Sequence, residues 1–129
     1  MEIKGWALVP EMAGKYRTGY VRVKWPLARL RIETGLIGLR SRPAWVTTAF
    51  NGEPLAVSSP TDIEVVFASV GTLRLPLVGL RTATGLTYCF GPGRGTYFRA
   101  SRRVAEILDL CELEGFTVSR EARRLDLTG

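Results

Sequence analysis

Between Tyr20 and Leu39 the chain alternates apolar and charged side chains almost without a break. Val21, Val23 and Trp25 fall on one side and Arg22 and Lys24 on the other, a period of two that belongs to a β-strand. Pro26 interrupts the pattern, Leu27 to Ile32 resumes it, and Leu36 to Leu39 follows after Thr34 and Gly35. A two-residue loop at Thr34-Gly35 sets Ile32 opposite Ile37 and Leu30 opposite Leu39, so four aliphatic side chains share one face of a hairpin. The same register places Arg29 opposite Arg40 and Arg31 opposite Gly38 on the other face, with Arg42 just beyond. Like charges across a strand pair are destabilising unless water, a carboxylate or a bound anion offsets them.

The remaining segments read as further short strands and one helix. Trp45 to Phe50 is compatible with a strand, Asn51-Gly52 is a turn signal, and Ser58-Ser59-Pro60 is loop-like. Asp62 to Val70 reads as a buried strand, and Leu73 to Val78 as an edge strand because Pro76 cannot donate to a ladder. Leu86, Tyr88 and Phe90 line one face of the next strand, Gly91-Pro92-Gly93-Arg94 fits a type II turn, and Thr96 to Arg99 is the returning strand. From Ser101 the period becomes helical: Val104, Ile107, Leu108 and Cys111 recur at i, i+3, i+4 and i+7. Ser101 is the expected N-cap, and Gly115 the expected left-handed C′ residue, closed by Phe116. The tail from Ser119 to Gly129 leaves three readings: a short strand, a short helix or no fixed structure.

At 129 residues, 46% apolar and 23% charged, the composition is that of one globular domain rather than of a disordered chain. The apolar run Trp6 to Val9 is too short for a membrane span or a signal h-region, so a cytoplasmic protein is expected, with peripheral membrane attachment as the other placement. Cys89 and Cys111 read as two buried free thiols in a reducing compartment.

Charge is unevenly placed. Residues 1–50 hold nine Lys and Arg against three Asp and Glu, whereas the rest of the chain is balanced, so the net +6 lies in the N-terminal part. Such asymmetry bears on partners rather than on fold.

The chain has no histidine, which removes the commonest general base, the usual zinc ligands and every Ser-His or Cys-His nucleophile pair. Glu106, Asp109 and Glu112 recur every three residues opposite the apolar stripe and read as a solvated face pairing with Arg102 or Arg103. Asp62 and Glu64 share one strand face and read as structural carboxylates. Gly91 to Gly95 lacks the Gly-Lys-Ser/Thr ending of a phosphate loop and leads into a strand, which favours a hairpin turn. No catalytic motif, cofactor motif or metal-ligand set is expected.

Two groups of residues remain as candidate contacts for an anion or partner. The stronger is the basic hairpin face, Lys24, Arg29, Arg31, Arg40 and Arg42. The weaker is the start of the helix, where Ser101, Arg102 and Arg103 surround the positive end of the helix dipole.

The run Trp25-Pro-Leu-Ala-Arg-Leu-Arg-Ile32, the turn at Gly35, Leu36-Ile-Gly-Leu-Arg40, Thr61-Asp-Ile-Glu-Val-Val66, two further strands and a final helix, Ser101 to Glu114, before Gly115-Phe116 resemble the bacterial pleckstrin-homology-like and GRAM-like domains. The resemblance spans about residues 20–118, leaving a short N-terminal segment and a C-terminal tail. It implies a mostly β fold: a strongly bent antiparallel sheet or partly open barrel of about seven strands, capped by one C-terminal helix over about 101–114. It also implies a non-catalytic module for lipid, protein or self-association. Lys24, Arg29, Arg31, Arg40 and Arg42 match the charge that phosphoinositide-binding members carry on their first two strands. The loop at Thr34-Gly35 departs from the long first loop of those members. Loose electrostatic attachment to an anionic membrane surface, or contact with a protein, is therefore expected ahead of a nucleic-acid-binding β-barrel, in which Arg29, Arg31, Arg40 and Arg42 would touch phosphates and Tyr16, Tyr20 or Trp45 stack on bases, and ahead of an enzyme of unrecognised type.

Overall fold

The computed structural model describes all residues except 49–51, 53–54, 72–74, 93–96 and 125–129. Eight strands form one sheet: β1 (Glu2–Ala13), β2 (Tyr16–Glu33), β3 (Leu36–Ser41), β4 (Leu55–Ser58), β5 (Ile63–Val70), β6 (Leu75–Thr82), β7 (Thr87–Pro92) and β8 (Thr117–Arg124). A helical turn, α1 (Trp45–Thr48), follows β3, and the helix α2 (Tyr97–Leu113) lies between β7 and β8. The strand order is β4-β3-β2-β1-β7-β6-β5-β8, so two meanders are joined through the β1–β7 pair. The expected antiparallel sheet of about seven strands is present in β1 to β7. β8 makes the sheet mixed by adding to β5 in parallel, and the sheet is not closed into a barrel.

The hairpin register read from the alternation is the observed one: Ile32 faces Ile37, Leu30 faces Leu39, Arg29 faces Arg40 and Arg31 faces Gly38. The turn needs a left-handed residue, and Gly35 supplies it at φ 71°. Residues 2–13, outside the span of the resemblance, form a strand at the middle of the sheet. The sheet curls round one core, because Leu30, Ile37 and Leu39 from one end share a cluster with Val65, Val78 and Leu80 from the other. Val104, Ile107, Leu108 and Cys111 of α2 complete that cluster, each large side chain contributing about 1.5–3 kcal/mol by leaving water.

Several expectations are corrected. α2 begins at Tyr97 and not at Ser101, so Ser101 lies a full turn inside the helix and is no N-cap, and Tyr97 to Arg99 are helical rather than a returning strand. Thr96 lies outside the described residues. Gly91 and Pro92 belong to β7, and the rest of the proposed type II turn, Gly93 and Arg94, also lies outside the described residues. The other end of the helix is as expected: Gly115 sits at φ 99°, with Phe116 N–H donating to the Cys111 carbonyl at 3.0 Å and Gly115 N–H to that of Glu112 at 3.2 Å. This 6→1 and 5→2 pair is a Schellman cap.

β6 is an inner strand, not an edge. Its ladder with β7 starts at Val78, two residues past Pro76, so the missing N–H falls where β7 makes no demand on it. Trp45 to Thr48 turn helically instead of extending, because the buried Ser41 hydroxyl accepts from the backbone N–H of Thr47 at 3.2 Å and pins the turn. The tail is a strand as far as Arg124.

Candidate functional site

Strand alternation turns Glu2 and Lys4 of β1, Arg29, Arg31 and Glu33 of β2, and Arg40 of β3 away from the core. The registers align them in two rows across the three strands. One row reads Lys4, Arg29, Arg40, and the next reads Glu2, Arg31, Gly38. Neighbours in a row stand about 4.5–5.5 Å apart at their Cα atoms, close enough for the cations of the first row to repel one another.

Carboxylates offset only part of this charge. Arg40 Nη2 donates to Glu2 Oε2 at 3.0 Å, and Arg31 Nη2 to Glu33 Oε2 at 3.1 Å. Both pairs are solvent-facing, and each contributes no more than about 1 kcal/mol. Among the described residues no carboxylate pairs with Lys4, Arg29 or Arg42. Arg29, in the middle of the cationic row, is half-buried, and its Nε and Nη1 are shielded from solvent without a hydrogen-bond partner. An unsatisfied buried donor costs about 1–3 kcal/mol, more when charged.

Of the five residues expected at this site, the structure brings Arg29, Arg31 and Arg40 together. Arg42 continues the same edge, its N–H donating to the Leu27 carbonyl at 2.7 Å. Lys24 is set apart: residues 24–27 form an irregularity opposite Trp6, between the pairs Ala7–Val23 and Gly5–Ala28, and Lys24 is the first residue of it. Sequence reasoning missed Lys4 and Glu2. The signal was present, since Glu2, Lys4, Trp6 and Leu8 alternate with Ile3, Gly5, Ala7 and Val9, but glycine and alanine weakened it.

Past the irregularity the outward face changes character. The Arg22 guanidinium carbon lies 5.5 Å from the Trp6 ring centre, and that of Arg17 lies 4.7 Å from the Tyr20 ring centre. Trp6 packs against the backbone of Gly91: a Cβ there would come within 2.2 Å of the indole Nε1. Of the rings proposed to stack, Tyr16 and Trp45 are exposed and Tyr20 is half-buried beneath Arg17.

The weaker candidate is not assembled at a helix terminus. Arg102 and Arg103 project into water from the second turn of α2, and Arg102 Nε sits 3.6 Å from Glu106 Oε1. Asp109 and Glu112 are paired by Arg120 of β8, at 2.6 and 3.7 Å. Asp62 precedes β5, where its Oδ2 accepts from the Ser59 hydroxyl at 3.0 Å. Glu64 stands opposite Arg81 without an ion pair, and both line a cleft of about 320 Å³ with Thr117. Burial pushes the thiols of Cys89 and Cys111 up to about 12, so both are neutral at physiological pH. No helix among the described residues is long and apolar enough to cross a membrane. No protein-family model, curated protein or solved structure matches the chain.

Proposed function

We propose that the protein is a non-catalytic binding module of pleckstrin-homology-like type that takes an anionic partner on the outer face of β1, β2 and β3. One observation carries the reading: Arg29 sits between Lys4 and Arg40 in one outward row, and among the described residues no carboxylate pairs with Lys4 or Arg29. An anion on this row relieves the repulsion among the three cations. The strands β2 to β7 followed by α2 are compatible with the resemblance, while β1 and β8 stand outside it.

Retention on immobilised heparin tests the site. The double variant R29E/R40E is expected to elute at markedly lower salt than the parent, whereas R102E/R103E, with the same change in net charge, shifts elution far less. Equal shifts for the two variants would show that net charge alone sets retention and that the face is not the site.

A further inference from the structure

Apart from the cationic row, charged side chains of both signs gather round the cleft of about 320 Å³ at the start of β5 and β8 and the end of β6. We propose that this cleft is a second binding site, for a small zwitterion that carries a surplus of positive charge, of the type of a free basic amino acid.

Alternation places Glu64 of β5 and Arg81 of β6 on the same outward side as Ala68 and Leu77, directly opposite one another in the ladder. Opposite charges set across a strand pair in this way attract. Here they do not meet: both line the cleft, and no ion pair joins them. Among the described residues none donates to the shielded Oε1 of Glu64, so the chain leaves the charge of this carboxylate uncompensated. Thr117 of β8 stands beside Glu64 and carries the row onto a third strand. Asp62 adds a second carboxylate at the rim, and the rim is braced. Its Oδ2 accepts from the Ser59 hydroxyl at 3.0 Å, and its carbonyl accepts from the Ala83 N–H at 3.2 Å.

These charges select the occupant. A simple anion meets the two carboxylates of Asp62 and Glu64, and a cation without a carboxylate leaves Arg81 unmatched. A molecule with an ammonium and a carboxylate group matches Glu64 and Arg81 together, the second through the bidentate geometry that a guanidinium offers. Because two carboxylates stand against one guanidinium, a further cationic group on the ligand is attracted and a further carboxylate is repelled. Pro60 and Ala83 supply apolar wall for an aliphatic stem. At about 30 Å³ for each water displaced, the cleft has room for a molecule the size of lysine.

Amide ¹H–¹⁵N spectra of the full chain test the site, titrated to about 20 mM with L-lysine, L-alanine, L-glutamate or 1,5-diaminopentane, the last being lysine without its carboxylate. L-Lysine is expected to shift the amides of residues 61–64, 81–83 and 117 and to bind most tightly. L-Alanine follows, and L-glutamate and 1,5-diaminopentane are expected to bind at least ten-fold more weakly than lysine. Glu64→Gln and Arg81→Gln are each expected to weaken lysine binding about ten-fold, while Arg102→Gln, remote on α2, leaves it unchanged. The same spectra report that each variant keeps the fold. Absence of shifts at these amides with lysine, binding of glutamate or 1,5-diaminopentane as tight as that of lysine, or unchanged lysine affinity in Glu64→Gln and Arg81→Gln overturns the proposal. The anion-binding face stands or falls separately, on heparin retention.

Discussion

At the β3 end of the sheet the side chains turned outward are Glu2, Lys4, Arg29, Arg31 and Arg40, whereas from Leu8 of β1 across to β5 they include Leu8, Ala68, Val70, Leu77 and Cys89. The first set is largely wet; the second is shielded under Trp6, Tyr20 and Leu75 as a small cluster of its own. The sheet therefore has a core on one side only at the β3 end, and is apolar on both sides from Leu8 of β1 across to β5. The end with an uncommitted polar face is the one available for anion recognition, while the doubly apolar part resists substitution on either side.

Truncation on the doubly apolar side has the largest expected effect. Leu77→Ala, on the outer side, is expected to destabilise the protein by about 2–5 kcal/mol, the range for Leu30→Ala in the main core, because both side chains are fully buried. Urea unfolding measures both, and a loss below about 1 kcal/mol for Leu77→Ala would mean that the outer cluster is not packed.

Cys89 sharpens the same contrast through pH. Its thiol is raised from 9.0 to about 12 by burial, so the folded state favours the protonated form. That contribution is fully present below about pH 9 and is lost as pH rises toward 12, at up to about 1.4 kcal/mol per pH unit. Relative to the parent, Cys89→Ala is expected to show a shallower fall in stability between pH 9 and 11; parallel curves would place the thiol in contact with water.

The smallest effect belongs to the basic face. Arg29→Leu removes the unsatisfied donors and the repulsion with Lys4 and Arg40, and stability is expected to stay within about 1 kcal/mol of the parent or to rise. A loss above 2 kcal/mol by urea unfolding would show that the guanidinium is a structural strut.

The same contrast explains what could be read from the chain itself. β2 and β3 separate aliphatic from charged residues at a period of two, so their pairing was legible to the residue, and the i, i+3, i+4, i+7 stripe with Gly115 fixed the body and the end of α2. β5 to β7 are apolar on both sides, so alternation vanished, and Pro76 suggested an edge although the β7 ladder simply stops short of it. β1 hid behind Gly5 and Ala7, and with it went Lys4, the third cation of the row. The ring pairs of Trp6 with Arg22 and Tyr20 with Arg17 depend on cross-strand register and on local packing, which no spacing along the chain reports.

Arg29, in the middle of the cationic row, is where an anion is expected to settle. Side-chain ¹H–¹⁵N spectra of the arginine Nε–H groups, titrated with a heparin fragment at 50 mM salt, test this directly. The Arg29 signal, assigned by its loss in Arg29→Leu, is predicted to show the largest shift, with Arg102 and Arg103 nearly unmoved. An Arg29 signal that stays in place while others shift would contradict it.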